Sequence, residues 1–158
     1  MIFANEAKKN ADFQSHSVSI SSGYGAVGET ISFEYEFQFR SDWHLNTIAI
    51  HAKYLEFNKD EFDAFGLSIK RSMQLSKSWN IYASAGLNKY KTLYFNGIGA
   101  NTSSLDNYSS EKGVGAIGSL GADFHIKEQF FLGFRVLLID VGNYQGRNSV
   151  DFRLSYRF

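Results

Sequence analysis

The chain has 158 residues, and its 16 lysines and arginines balance 16 aspartates and glutamates. This balance provides no overall field that would attract nucleic acid, and the absence of cysteine excludes disulfides and thiolate metal sites. Aromatic residues form 16% of the chain, and no apolar run approaches the roughly 18 residues that a membrane-spanning helix requires. Aromatic richness with few helix signals predicts a single all-β domain.

Residues 1–15 are polar and carry no periodic pattern, which predicts a flexible N-terminal tail. The opening sequence MIFANEAKKN lacks the long apolar stretch of a signal peptide, so an exported protein would have lost its signal. Eight extended segments follow the tail. They cover residues 16–25, 30–40, 44–55, 62–75, 79–92, 113–126, 129–141 and 148–158.

The second segment, TISFEYEFQFR, alternates strictly between apolar and polar residues. Successive side chains of a strand point to opposite faces, so this pattern predicts a strand with one apolar and one charged face. The alternation alone allows two structures. One is a soluble sheet with its apolar face in a core, and the other is a membrane barrel with its apolar face on lipid and its polar face in the lumen.

The connections between the segments favour the membrane barrel. Tight turns follow the second, fourth and sixth segments, whereas longer stretches follow the first, third, fifth and seventh. Short periplasmic turns and longer extracellular loops are typical of outer-membrane barrels. The longest connection follows the fifth segment and includes NGIGANTSSLDNYSSEK.

The aromatic residues predict two girdles at the membrane interfaces. Trp43 and Trp79 lie at tight turns, and Tyr24, Tyr54 and Phe65 lie near the opposite rim. In the last segment Val150, Phe152, Leu154, Tyr156 and Phe158 share one face, and Phe158 is also expected to belong to the girdles.

An aromatic-alternating last strand with a terminal Phe resembles the C-terminal assembly signal of outer-membrane barrels. Over residues 16–158 the chain resembles the small eight-stranded family that includes OmpX/Ail-like, OmpW-like and OmpA-type barrels. The resemblance implies an eight-stranded antiparallel up-and-down transmembrane β-barrel in a bacterial outer membrane, with the tail in the periplasm. It also implies lipopolysaccharide and the barrel-assembly machinery as partners. Lipocalins and fatty-acid-binding proteins are the soluble alternative, but the chain has no Gly-x-Trp opening and no helix signal.

The polar face is expected to line the lumen with four acids, six permanent bases and two histidines. An eight-stranded barrel is only wide enough for side chains to fill it, so these charges should pair and close the lumen. Arg71 falls on the lipid-facing side, which a bulge, an early strand end or snorkelling to the headgroups would explain. The expected lumen residues are Glu34, Glu36, Arg40, His51, Lys53, Lys70, Asp123, His125, Arg135, Asp151, Arg153 and Arg157.

The sequence offers no recognisable catalytic, cofactor or metal site. Lipid A deacylases of the PagL type carry His-x-Ser near the outer end of the seventh strand, where this chain has Leu138, Ile139 and Asp140. The histidines are expected to form hydrogen bonds at the rims or in the lumen. A lipid A-modifying enzyme with another site and an OmpW-like conduit for small apolar molecules remain alternatives.

The longest loop is the candidate recognition site because rigid scaffolds usually present binding residues on loops. Its aromatic and apolar residues lie among serines and asparagines, a composition suited to contacts with an extracellular protein or glycan, or to solubility alone. These residues are Tyr94, Phe95, Ile98, Leu105 and Tyr108. The leading functional hypothesis is a non-enzymatic barrel with a structural or surface-recognition role.

Overall fold

The computed structural model describes residues 15–25, 28–53, 61–95, 108–141 and 144–158. Eight strands account for nearly all of these residues. They are β1 (His16–Gly25), β2 (Gly28–Arg40), β3 (Trp43–Lys53), β4 (Glu61–Gln74), β5 (Trp79–Phe95), β6 (Tyr108–His125), β7 (Phe130–Val141) and β8 (Tyr144–Arg157). Within these ranges no helix is long and apolar enough to cross a membrane.

Each strand pairs antiparallel with its neighbours in sequence, and β8 pairs with β1 to close the barrel. The prediction of an eight-stranded antiparallel up-and-down barrel is confirmed. Three short connections, 41–42, 75–78 and 126–129, lie at one end of the barrel, which we call the turn end. The opposite end, which we call the loop end, carries 26–27, 54–60, 96–107 and 142–143.

The predicted sorting of connections by length holds for only two of the four loop-end connections. Residues 26–27 and 142–143 are as short as the turns, because β2 begins two residues earlier than predicted and β8 four residues earlier. Gly28, at the start of β2, has φ of 82°, a left-handed conformation that glycine adopts without steric cost.

The two faces of the wall are reversed relative to a soluble barrel. From Gly28 to Glu36 buried and exposed residues alternate without a break. After Glu29 the exposed members are large aliphatic or aromatic residues, with Phe33 60% exposed, and the buried members include Ser32 and Glu34. A wall that is apolar outside and polar inside is suited to lipid surroundings.

The hairpin of β5 and β6 is longer than predicted. The two strands stay paired up to the Phe95–Tyr108 pair, so Tyr94, Phe95 and Tyr108 belong to strands rather than to a loop. Pairing continues because residues 89–95 contain no Gly, Pro, Asn, Asp or Ser, the residues that favour turns. The predicted positions Tyr54, Ile98 and Leu105 and tail residues 1–14 lie outside the described residues.

Arg71 requires no irregularity in β4. Its pairing with Trp43 falls in an unbroken register between β3 and β4, and both side chains point outward near the turn end. The guanidinium carbon lies 5.4 Å from the centre of the Trp43 ring. A bulge and an early strand end are therefore excluded as explanations, and the contact matches an arginine that reaches the interfacial level.

Candidate functional site

A buried arginine organises the middle of the barrel interior. Arg135 on β7 lies directly opposite Asp151 on β8 and donates to the Oδ2 atom of Asp151 from Nε at 2.9 Å and from Nη2 at 2.7 Å. Its Nη1 donates to Glu34, and its Nη2 donates to the hydroxyls of Ser21 at 2.9 Å and Ser32 at 2.7 Å. Both sides of the ion pair are thus fully desolvated and multiply hydrogen-bonded.

A second buried arginine continues the network toward the turn end. Arg153 donates from Nη1 to Asp123 Oδ2 at 3.0 Å and from Nη2 to Ser19 Oγ at 2.9 Å and to Glu36. Lys70 Nζ donates to Glu36 Oε1 at 2.8 Å. Every carboxylate here has a cationic partner, as buried charges require if they are not to cost several kcal/mol each.

Tyr82 supports the same layer from β5. The ammonium of Lys70 lies 3.8 Å from the centre of the Tyr82 ring, and the guanidinium carbon of Arg153 lies 5.4 Å from it. Gly121 is directly opposite on β6, where a Cβ atom would approach Tyr82 Cζ to 2.5 Å. The glycine thus provides the space that the ring occupies.

The loop-end half of the interior is filled by apolar side chains, which the sequence analysis did not foresee. They come from β3 to β7, and two of them, Phe62 and Tyr90, have ring centres 6.5 Å apart. The cluster consists of Ile48, Ile50, Ala52, Phe62, Ala64, Tyr90, Ile117, Leu137 and Ile139. The interior therefore has a charged layer toward the turn end and an apolar layer toward the loop end.

This apolar layer corrects two predicted lumen residues. On β3 the inward positions are the even ones, so His51 and Lys53 point outward and are exposed. Both faces of β3 carry aliphatic residues. The sequence analysis placed the face with His51 and Lys53 in the lumen, whereas in the structure the opposite face lines the lumen. His51 Nδ1 lies 2.8 Å from Asp63 Oδ1 on the outer wall.

The other predicted lumen residues occupy three environments. Arg40 is exposed at the turn end, beyond the irregularity that separates it from Gln38, so its assignment to the lumen is also corrected. His125 and Arg157 are half-buried at the turn-end mouth, where both approach the ring of Phe131. The fully interior members are Glu34, Glu36, Lys70, Asp123, Arg135, Asp151 and Arg153.

The predicted girdle residues lie on the outer wall wherever their side chains are described. Trp79 and Phe158 are exposed at the turn end, and Trp43 is half-buried at the same end of the barrel. Tyr24 and Phe65 are each 60% exposed toward the loop end.

A Ser-His-Glu arrangement at the turn-end mouth invites comparison with a hydrolase triad. His44 Nε2 lies 3.1 Å from Ser72 Oγ, and His44 Nδ1 lies 3.7 Å from Glu36 Oε2. The second distance is too long for a hydrogen bond, and Glu36 is already engaged by Lys70 and Arg153. The adjoining cavity of about 30 Å³ has room only for water, so an acyl substrate does not fit.

In the described part of the chain, no group of three or more His, Asp or Glu residues is arranged to hold a metal ion.

Three solved structures with similar folds share little sequence with this chain. The N-terminal barrel of Pseudomonas aeruginosa OprF matches with a TM-score of 0.72 and 14% identity, covering 91% of this chain and 97% of OprF's. Ail of Yersinia pestis matches with a TM-score of 0.57 and 13% identity over 92% and 96%. The outer-membrane enzyme PagL matches with a TM-score of 0.56 and 12% identity over 89% and 98%. At these identities the likeness shows the fold alone.

The comparison with curated proteins gives no match for this chain. A family match, in contrast, covers residues 3–158, almost the whole sequence. Together with the closed eight-stranded barrel and its apolar outer wall, this match shows that the chain belongs to the outer membrane protein beta-barrel domain family.

Proposed function

We propose that this outer-membrane barrel is a non-enzymatic, non-conducting protein whose role lies at its extracellular surface, in envelope integrity or in recognition through its loops. The observation that carries the proposal is the two-layer filling of the interior. The Arg135 and Arg153 network occupies one layer, and the apolar cluster around Phe62 and Leu137 occupies the other.

The orientation of the barrel follows from its two ends. Outer-membrane barrels place short turns in the periplasm and longer loops outside, so we assign the turn end to the periplasm and the loop end to the exterior. Trp43 and Trp79 at the turn end then lie at the periplasmic headgroup level, which indole rings favour.

A conduit for small molecules is the alternative that the filled interior disfavours. Purified protein inserted into planar lipid bilayers should produce no conductance steps, because ions would have to displace either paired charges or packed aliphatic side chains. The folded form is identified by its heat shift, the change in electrophoretic mobility of a folded barrel when the sample is boiled. Reproducible conductance steps from this form would overturn the non-conducting assignment.

Lipid A modification is the enzymatic alternative, and likeness in fold to PagL motivates a direct test. Mass spectra of lipid A from cells with and without the protein should be identical, because the Ser72–His44 pair has neither an aligned carboxylate nor space for an acyl chain. A gain or loss of one acyl chain would overturn the proposal.

Recognition is assigned to the longest loop, residues 96–107. A structure of Ail contains the heparin analogue sucrose octasulfate, but the loop NGIGANTSSLDN carries one acid and no base. Its chemistry fits neutral glycans or protein surfaces better than sulfated ones. Replacing 96–107 by Asn-Gly, directly after Phe95 and before Tyr108, should abolish binding of protein-displaying cells to an array of neutral oligosaccharides. Unchanged binding by a variant that still shows the heat shift would reject the role of this loop.

A further inference from the structure

Two arginines flank a tryptophan on the outer wall at the turn end. In the register of three adjacent strands, Arg40 on β2 lies opposite Trp43 on β3, and Trp43 lies opposite Arg71 on β4. Directly paired residues share one face of a sheet, so the three side chains form one row on the outer wall. Neighbouring strands are about 4.8 Å apart, which separates the backbones of Arg40 and Arg71 by about 10 Å.

Both guanidinium groups of this row are available to a ligand. The two arginines are exposed, and the contact of Arg71 is with the Trp43 ring, whose centre lies 5.4 Å from the guanidinium carbon. Within the described ranges neither guanidinium forms an ion pair or a hydrogen bond with a protein group, and this includes Asp42 in the turn between β2 and β3. Their N–H donors are therefore free for water or for an anion.

Trp79, the other tryptophan at the turn end, has entirely apolar neighbours in its own row. It is paired with Phe124 on β6, with ring centres 5.2 Å apart, and Phe124 is paired in turn with Leu132 on β7. A row of this kind contacts acyl chains and offers nothing to a charged headgroup. On the described outer wall the guanidinium groups are thus concentrated beside Trp43.

The next outward row toward the membrane centre provides an apolar floor. It consists of Phe37 on β2, Leu45 on β3 and Ile69 on β4, which are paired with one another in the same register. Leu45 and Ile69 are 40% and 51% exposed. The surface therefore combines two cations at the headgroup level with an apolar row below them. A soluble anion would use only the first part, whereas an anionic lipid uses both.

We propose that Arg40, Trp43 and Arg71 form a binding site for a phospholipid that carries two phosphodiester groups, of which cardiolipin is the probe. A guanidinium donates two parallel hydrogen bonds to one phosphate, a geometry that an ammonium group does not offer. One phosphate binds at each arginine, the bridging glycerol lies over the indole, and the acyl chains lie on the apolar floor. With the turn end assigned to the periplasm as proposed above, this lipid belongs to the inner leaflet of the outer membrane.

The test measures lipid binding by native mass spectrometry in a non-ionic detergent. Wild type, the double variant R40Q/R71Q and the control K77Q/K127Q are titrated with cardiolipin. The control removes two exposed positive charges from the other two turns at the same end. Each arginine near an anionic lipid should contribute roughly fivefold to affinity, so R40Q/R71Q should bind cardiolipin roughly 25-fold more weakly, and the control should match wild type.

A lipid with one phosphate separates this site from general attraction to a basic surface. Phosphatidylglycerol engages only one arginine at a time, so its affinity should fall only about fivefold in R40Q/R71Q. The single variants R40Q and R71Q should each weaken cardiolipin binding by about the same factor. They replace the double variant if it shows no heat shift.

Three results would overturn the site. They are equal cardiolipin affinity of wild type and the arginine variants, an equal loss in K77Q/K127Q, and a loss for phosphatidylglycerol as large as that for cardiolipin. Bilayer conductance of the same preparations tests the proposed function separately. A conducting barrel that selects cardiolipin through the arginines would overturn the proposed function and leave the site standing, and a non-conducting barrel without this selectivity would do the reverse.

Discussion

Arg135 and Asp151 form a buried cross-strand ion pair in which one carboxylate oxygen accepts from the guanidinium and the other accepts from hydroxyls. The Oδ1 atom of Asp151 receives hydrogen bonds from Thr30 at 3.0 Å and Ser149 at 2.8 Å, and Oδ2 receives the two from Arg135. Both side chains are 1% exposed. The pair therefore joins β2, β7 and β8 through a single carboxylate.

Replacing Arg135 by Ala should lower the free energy of unfolding by about 3–5 kcal/mol. The substitution leaves the buried Asp151 carboxylate without a cation and leaves Glu34 with only Arg153, whose Nη2 lies 3.7 Å from Glu34 Oε2. The measurement is the midpoint of urea unfolding in lipid vesicles, followed by tryptophan fluorescence. Arg71→Ala is the matched control, since Arg71 is exposed on the outer wall, and it should cost less than about 1 kcal/mol. A similar loss of unfolding free energy in both variants would contradict the assignment of Arg135 as the main cation of the buried network.

The ring of Tyr82, rather than its hydroxyl, makes the stabilising contacts in the barrel interior. Among the described residues the buried hydroxyl has no hydrogen-bond partner, whereas the ring faces the Lys70 ammonium at 3.8 Å. Tyr82→Phe should therefore change the free energy of unfolding by less than about 1 kcal/mol. Tyr82→Ala should cost about 3–5 kcal/mol, because it opens a cavity beside Gly121 and removes the surface that covers Lys70.

Urea titration of the two Tyr82 variants separates these contributions. A large loss in Tyr82→Phe would show that the hydroxyl carries the stability and would contradict the assignment to the ring.

The fold was predictable because the alternation is unambiguous wherever one face is consistently aromatic. On β2 as far as Gln38, and on β8, apolar and polar residues alternate cleanly and point to the predicted faces. On β3 Leu45, Ile48 and Ala49 place aliphatic groups on both faces, so period two alone does not show which face is inside. Pairing with β2 and β4 settles the choice, and that information is not local to the strand.

The interior could be predicted only in part, for a related reason. The charged residues identified the network of Glu34, Arg135 and Asp151 because buried charges must find partners in so narrow a barrel. The apolar layer around Phe62 could not be predicted in this way. Aliphatic residues occur both inside the barrel and on its outer wall, so their type does not show which way they point. Cross-strand neighbours such as Lys91 and Lys112 likewise become visible only when the register of β5 and β6 is known.

Phe158 is expected to act in assembly through the junction of the first and last strands. His16 and Phe158 exchange backbone hydrogen bonds of 3.2 and 2.9 Å, and their rings stack with centres 5.8 Å apart. Phe158→Ala should reduce the heat-shifted, folded fraction in cells several-fold, because it removes the aromatic end of the proposed assembly signal and the ring that covers His16. Phe33→Ala is the control, because Phe33 is 60% exposed on the lipid-facing wall and Phe158 is 59% exposed.

Refolding of the same purified variants into lipid vesicles distinguishes the two roles of Phe158. If the cellular defect is present but refolding of Phe158→Ala equals that of Phe33→Ala, the terminal ring acts through the assembly machinery. If both are impaired, the ring is needed for the barrel to close at β1 and β8, since closure requires the first and last strands to meet. Normal folding of Phe158→Ala in both settings would reject both roles and leave only the backbone pairing of His16 and Phe158 as the closing contact.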